Sequence, residues 1–333
     1  MLTLMKNSID IFQCPNCMCS LEIGEEHIVC NNGHKFEISD DIPLMFIEGG
    51  VEHADIITNK IKEFYEENPF PNYDDNDDPS SLINKAEVSV FAKLLNDGLP
   101  FNSRILEVGC GTGQLANYLS LASRYVYGID ISLNSLKLAN NFKRKNSLKG
   151  ISFYQMNLFR PVFKNETFDT VICNGVLHHT YRAFEGLKII TNLLKMNGYL
   201  IIGLYNKYGR LFTKLRKQIF RYTGKKFHFL DSYLLRDDIA GIKRTAWFLD
   251  QYHNPHETTH TFGEVLKWFE KTGIEFVSSI PLLGSISGID EDFDIFEQMS
   301  SGNKISRFIS QVAMPFITNR EGGYFIMIGR KSK

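Results

Sequence analysis

The sequence predicts an α/β protein, a mostly parallel sheet with helices on both faces, preceded by a small cysteine-rich unit. Three observations predict it. Residues 104–113, Arg-Ile-Leu-Glu-Val-Gly-Cys-Gly-Thr-Gly, run an apolar strand into three alternate glycines. Apolar strands then alternate with helical segments as far as Leu204, the pattern of strands buried on both faces. Four of the six cysteines fall within residues 14–30, while Cys110 and Cys173 sit inside the strand motifs.

Residues 1–47 form the cysteine-rich unit. Cys14-Pro-Asn-Cys17, twelve residues, Cys30, three residues and His34 give metal-ligand spacing, with two knuckles presenting four ligands. Such a set suits tetrahedral structural zinc, and a metal would help so short a unit to fold. Cys19 is a spare thiol that can replace His34 or do nothing. A redox Cys-x-x-Cys pair is the alternative, although the chain lacks its usual thioredoxin context.

Residues 48–80 read as a helical cap and linker. Ile57, Ile61, Phe64 and Tyr65 fall on one face of a helix over Ala54–Asn68. Pro69-Phe70-Pro71-Asn72-Tyr73 ends it, and Asp74, Asp75, Asp77 and Asp78 follow. Tyr65, Phe70 and Tyr73 either line a pocket or dock a plain linker on the core. Ser81–Leu95 is the first covering helix of the main unit, residues 81–333.

In that unit the glycine turn brings bare backbone close to a ligand and opens a helix at Gln114, whose N-terminus favours anionic or polar groups. The second strand, Tyr125–Ile129, ends in Asp130, placed to accept hydrogen bonds from ribose hydroxyls. Glu107 precedes Gly109-Cys110-Gly111-Thr112-Gly113, which is Gly-x-Gly-x-Gly rather than the dinucleotide Gly-x-Gly-x-x-Gly. Here the chain closely resembles the class I S-adenosylmethionine-dependent methyltransferases. The resemblance implies a seven-stranded Rossmann-like sheet. It also implies that Glu107 and the three glycines surround the methionine end of the cofactor while Asp130 binds the ribose. Asn157 stands where many members carry an aspartate that binds the adenine amino group, and its amide oxygen can still accept. Cys110, Ile131, Leu158 and Asn174 flank these positions and complete the expected cofactor contacts.

The strands continue with Ile151–Met156 and Phe168–Cys173, then a loop Asn174–Thr180. A helix over Gly186–Met196, a stop at Asn197-Gly198 and a strand Tyr199–Leu204 come next. Residues 206–260 are too long for a simple connection and read as an inserted lid. Within Lys207–Lys226 there are eight Lys or Arg and no acid, with Leu211, Leu215 and Ile219 four apart. This basic amphipathic helix suits RNA phosphates, an anionic small substrate, a membrane surface or plain solvation. Asp250-Gln-Tyr252-His253-Asn-Pro-His256-Glu257-Thr-Thr-His260 offers a metal site, acceptor-pocket contacts or structural hydrogen bonds. Thr261-Phe-Gly-Glu264 is a capping box for a helix to Lys271. Glu275–Ile280 and Tyr324–Ile328 form the closing antiparallel pair, joined through a long loop, residues 285–320, with some helix.

Methyl transfer needs in-line alignment, and a base only if the acceptor must lose a proton. His178 and His179 lie where a base is expected, His179 being preferred; Tyr252 and His253 are further candidates. No Asn/Asp-Pro-Pro-aromatic tetrapeptide follows the fourth strand, which argues against amino-methylating DNA enzymes, and no cysteine is placed for pyrimidine C5 chemistry. The first 47 residues, including His34-Lys35-Phe36 and the tail Ile38–Met45, resemble two further groups. One is the zinc ribbon of bacterial rRNA guanine-N1 methyltransferases; the other is the small zinc-ribbon proteins that activate several methyltransferases.

With 333 residues, 43% hydrophobic content and net charge −1, the chain can bury a full core and carries no global attraction to nucleic acid or anionic membrane. No apolar stretch approaches a membrane span and no secretory signal is evident, so a cytoplasmic location is expected. Three function classes remain: an RNA methyltransferase, slightly favoured; a small-molecule O-, N- or C-methyltransferase; and a cofactor-binding scaffold without turnover.

Overall fold

In the computed structural model, residues 3–71, 73, 77–231, 233–236, 241–284, 293–317 and 323–333 are described. The expectations for Asn72, Asp74, Asp75 and parts of the 285–320 connection (285–292 and 318–320) lie outside them.

The chain opens with a short helix α1 (Thr3–Asn7) and four antiparallel strands, β1 (Leu21–Ile23), β2 (His27–Cys30), β3 (Lys35–Ser39) and β4 (Ile42–Pro43). Helices α2 (Glu52–Glu67), α3 (Pro79–Val88) and α4 (Val90–Gly98) lead to β5 (Arg104–Val108). Then come α5 (Gln114–Ser120), β6 (Tyr125–Asp130), α6 (Leu133–Lys145), β7 (Ile151–Gln155) and β8 (Phe168–Asn174). After α7 (Ala183–Asn192) and β9 (Leu194–Tyr205), the insertion carries α8 (Leu211–Thr223) and α9 (Gly241–His253). The chain ends with α10 (Phe262–Lys271), β10 (Ile274–Ile280), α11 (Lys304–Ile317) and β11 (Tyr324–Lys331).

Strands β5–β11 make one seven-stranded sheet in the order β10-β11-β9-β8-β5-β6-β7, parallel except around β11. Successive residues of β5 alternate between two apolar layers: Ile105 packs with Leu95, Leu119 and Phe153, and Leu106 with the cluster that includes Tyr127 and Leu187. Both faces are therefore covered, as a parallel sheet requires. The sheet order reverses beside β5, which puts a crevice at the carboxyl ends of β5, β6 and β8.

The N-terminal sheet is not a free appendage. Met45 N–H donates to the Gln155 carbonyl at 2.8 Å, and Phe12 packs against Tyr127, Tyr154 and Phe163 in the main core. Burial of that ring ties the N-terminal unit's fold to the sheet edge.

Several element ends differ from expectation, for local reasons. The helix expected over Ser81–Leu95 breaks at Ser89, which is extended (φ −95°, ψ 98°) between two β-branched valines. Asp78 caps its first half with Ser81 in a reciprocal box. The helix expected to reach Met196 stops at Asn192. Leu194 already pairs with Phe168, and Asn197 adopts φ 65° within an irregularity of β9. The Thr261/Glu264 capping box forms as the sequence suggests. Among the described residues no helix is long and apolar enough to cross a membrane.

Candidate functional site

A cavity of about 570 Å³ lies at the carboxyl ends of the central strands. Its floor is the loop after β5. Gly109, Gly111 and Gly113 all have positive φ (68°, 52° and 71°), a region that favours glycine. A Cβ on Gly109 would collide with the Val176 side chain, and one on Gly111 with the Phe70 carbonyl. Gly113 caps α5 and packs so closely on Phe153 and Ala139 that any side chain would displace them. Gly113 therefore shapes the loop, while Glu107, Gly109, Cys110, Gly111, Asp130, Ile131, Asn157, Leu158 and Asn174 all border the cavity.

The two acids are set differently. Asp130 accepts backbone N–H bonds from Gly111 and Ser132, both at 2.8 Å, and burial nonetheless raises it to about 6. Glu107 is buried, its Oε2 has no hydrogen-bond partner among the described residues, and burial pushes its carboxyl up to about 8. Asn157 is already engaged: its Nδ2 donates to Ile47 at 3.1 Å and its Oδ1 accepts from Phe159 N–H at 3.0 Å. One side chain thus joins the ribbon's tail to the cavity wall.

The segment before the sheet closes over this floor. Glu66, at the end of α2, accepts from the N–H groups of Leu133 and Asn134 at 2.8 Å, using the orphan donors at the start of α6. Thr112 Oγ1 bonds the Pro71 carbonyl, so residues 70–71 lie across the glycine loop. Thr58, Ile61, Tyr65 and Phe70 line the cavity. Tyr73 does not; it stacks on Phe142 at 4.6 Å and takes a bond from Asn117.

The opposite wall is polar and aromatic. Tyr65 donates to Asp250 Oδ1 at 2.8 Å, and Gln251 Nε2 donates to Asp250 Oδ2 at 3.0 Å and to the Tyr205 hydroxyl at 2.9 Å. Arg210 donates to Gln251 Oε1 at 2.6 Å, pairs with Glu257 at 2.7 Å, and lies 3.6 Å over the Tyr205 ring. Of these groups, Tyr65 and the stretch from Asp250 to Glu257 were legible in the sequence as possible pocket residues, whereas the parts played by Tyr205, Arg210, Trp247 and Tyr324 were not.

Of the four candidate catalytic residues, His179 borders the cavity. Its Nδ1–H donates to the His256 carbonyl at 2.8 Å, which leaves Nε2 as the lone-pair nitrogen of the neutral ring. Burial lowers its pKa. His178 stands behind it, ring centroids 4.2 Å apart, fully buried and with its pKa far below the ordinary value through desolvation. Tyr252 sits in the insertion's own small core with Phe220 and Phe248, donating to Asp231 at 2.7 Å. His253 packs on Phe248 at the insertion's surface. Neither borders the cavity. The three histidines of the 250–260 stretch do not converge on a metal: His256 serves through its backbone, and His260 is held between Thr258 and Glu264.

Among the described residues the one metal-competent group is Cys14, Cys17, Cys30 and His34, whose ligand atoms lie within 4.8 Å of one another. Cys17 and Cys30 sulfurs are 3.7 Å apart. A tetrahedral zinc with ~2.3 Å bonds requires sulfurs ~3.8 Å apart, so the donor set fits. Cys19 lies outside the group and faces the Cys17 carbonyl.

A family model described as a methyltransferase domain matches residues 101–279. An uncharacterized protein of Synechococcus sp. is 26% identical over 253 residues, covering 67% of this chain and 60% of that protein. A ubiquinone biosynthesis O-methyltransferase of Glaesserella parasuis is 28% identical over 134 residues, 39% of this chain and 56% of that enzyme. The chain thus spans about three fifths of the length of these curated relatives (60% and 56%). Among solved structures, PKMT2 from Rickettsia typhi in complex with AdoHcy shares the fold. The two agree with TM-score 0.52 at 14% identity over 73% of this chain and 52% of that one.

Proposed function

Because this chain belongs to the methyltransferase-domain family, we propose that it moves a methyl group from S-adenosylmethionine to a small molecule held at the strand ends. One observation carries the reading. A single cavity contains both the glycine–acid floor and the aromatic, histidine-bearing wall. In this division residues 1–47 are the ribbon, 48–80 the cap, and 81–333 the catalytic unit with its lid at 206–260.

The floor suits the cofactor by its own chemistry. Glu107 offers an unpartnered buried oxygen to the ammonium of the methionine end, and Asp130 keeps lone pairs for ribose hydroxyls. Gly109 and Gly111 present bare backbone at the cavity with Cys110 between them, Val176 and the Phe70 carbonyl pack where side chains would stand, and Gly113 holds the turn. Ile131, Asn157, Leu158 and Asn174 complete the wall, with Asn157 Oδ1 available to the adenine amino group through its second lone pair. When bound, the cofactor supplies an activated methyl on a sulfonium.

The chain's own residues then orient the acceptor and exclude water. The cap and lid, locked together by Tyr65 and Asp250, close the pocket. His179 presents a neutral Nε2 lone pair able to take the proton of an acceptor hydroxyl or amine. Tyr205, Trp247 and Tyr324 give a planar acceptor apolar surface. His178 supports His179 from behind, and Tyr252 and His253 act in the lid's packing rather than at the methyl acceptor.

An RNA acceptor is less well supported. Of the eight basic residues at 207–226, Arg210 pairs with Glu257, Arg216 with Asp231 and Thr213, and Lys217 with the Asn254 carbonyl; Lys207, Lys214, Arg221 and Lys226 are exposed, but none of them borders the cavity. We assign structural zinc to Cys14, Cys17, Cys30 and His34. The test is to incubate the protein with methyl-labelled cofactor and separated cell fractions. Label in the low-molecular-weight fraction supports the reading. Label in RNA overturns the acceptor class, and absence of cofactor binding overturns the activity.

A further inference from the structure

Helix α11 is packed inside out. Ile305, Phe308, Ile309, Val312 and Phe316 recur at helical spacing, yet this stripe faces solvent, with Ile305 and Phe316 each 72% exposed. The inward face holds Met314 together with Ser310 and Gln311, the last 4% exposed and bonded to Asn206 Nδ2 and Phe262 N–H. Helix α8 repeats the pattern: Thr213 and Phe220 are buried, while Leu211, Leu215 and Tyr222 are exposed. The two helices meet edge to face through Phe212–Phe316, and the residue pair Tyr208–Phe308 extends the contact. One continuous apolar surface results, and a soluble chain rarely leaves such a surface bare.

The charge around it identifies the occupant. Neither Lys207–Lys226 nor Lys304–Ile317 contains an acid. Lys214 and Arg221 of α8 and Lys304 of α11 are exposed cations, and exposed Lys207 and Lys226 flank α8. A second copy of this chain would bring like charges together around a two-fold contact, which opposes self-association. Nucleic acid would satisfy the cations and could stack on Phe308 and Phe316, but it would leave the aliphatic side chains of Ile305, Ile309, Val312, Leu211 and Leu215 in water. An anionic bilayer satisfies both, with apolar side chains entering the acyl boundary and lysines meeting headgroups. We propose that α8 and α11 together form a docking surface for an anionic lipid bilayer, on which the protein lies without spanning it.

The surface adjoins the cavity. Arg210, at the start of α8, bonds Gln251 in the cavity wall, and Gln311 of α11 holds Asn206 at the end of β9. Docking therefore couples the membrane-facing helices to the Gln251 wall of the cavity. The proposal is independent of methyl transfer and is tested without it. The 333-residue chain, supplied with zinc, is sedimented with phosphatidylcholine vesicles, with and without added phosphatidylserine. Retention only with phosphatidylserine, falling with salt, is expected. Phe308→Ser with Ile309→Ser should abolish it, and Lys214→Glu should weaken it about fivefold or more. Both sites are exposed, and unchanged circular-dichroism melting verifies that the variants fold. Equal retention on neutral vesicles, no retention on either, or retention unaffected by the variants overturns the proposal. So does a dimer in sedimentation equilibrium that the α11 variant dissolves.

Discussion

The hydroxyl of Tyr65 donates to Asp250 at 2.8 Å across 185 residues of sequence, joining α2 to α9 at the cavity wall. Asn254 adds a bond to the same hydroxyl at 3.0 Å. Removing this hydroxyl with Tyr65→Phe leaves a buried carboxylate short of a partner and should cost about 1–3 kcal/mol of stability. The larger consequence falls on turnover, since cap and lid lose their connection. We expect kcat/KM with the natural acceptor to fall at least tenfold while calorimetric cofactor affinity changes little. An unaltered kcat/KM would show that the contact is purely structural.

Gly111 adopts φ 52° under the Phe70 carbonyl. Gly111→Ala should cost ~1–3 kcal/mol in backbone strain alone. It should also move residues 70–71 off the loop, so cofactor affinity should drop more sharply than melting temperature. Wild-type affinity in this variant would refute the cradle.

Glu107 gives a pH signature whose sign is fixed by its raised value. Its folded carboxyl titrates at about 8 against an ordinary 4.5, so between those values the folded state holds a proton the unfolded state has lost. Stability without ligand should therefore fall as pH rises through that window. Asp130, at about 6 against 3.8, adds in the same direction over its lower window. A cationic ligand group favours ionised Glu107, so cofactor affinity should rise with pH towards 8 and binding near neutrality should release a proton. Calorimetry in buffers of differing ionisation enthalpy measures that release, and Glu107→Gln should abolish it.

His179→Gln keeps a polar side chain but removes the titratable nitrogen. We expect kcat to fall roughly a hundredfold or more if the acceptor must lose its proton. Cofactor affinity should stay near wild type, and the acidic limb of the pH–rate profile should vanish. A retained acidic limb would assign the base elsewhere.

Chelating the zinc proposed for Cys14, Cys17, Cys30 and His34 should do more than unfold the N-terminal unit. Phe12 packs on Tyr127 and Tyr154, and Asn157 is held by the Ile47 carbonyl. Loss of the metal, or Cys14→Ser, should lower the melting temperature of the whole chain and weaken cofactor binding together. Thermal melts followed by far-UV signal and by ligand titration separate these effects; an unchanged cofactor affinity would uncouple the ribbon from the site.

What the sequence determined by itself was local. An acid, three glycines at alternate positions and an acid closing the next strand dictate a tight turn and a nucleoside-sized cradle, because φ, hydrogen bonding and side-chain bulk act among neighbours. The Cys-x-x-Cys and Cys-x-x-x-His knuckles were legible for the same reason. Tertiary structure decided what joins elements far apart in the chain. It engaged Arg210, Arg216 and Lys217 in internal bonds, although the sequence presented them as an uninterrupted basic stretch. It sent the apolar stripe of α11 outward because Gln311 found partners inside, and it left His179 at the cavity while carrying Tyr252 into the lid. A helical period tells which residues share a face; only the packing of the whole chain chooses which face is buried.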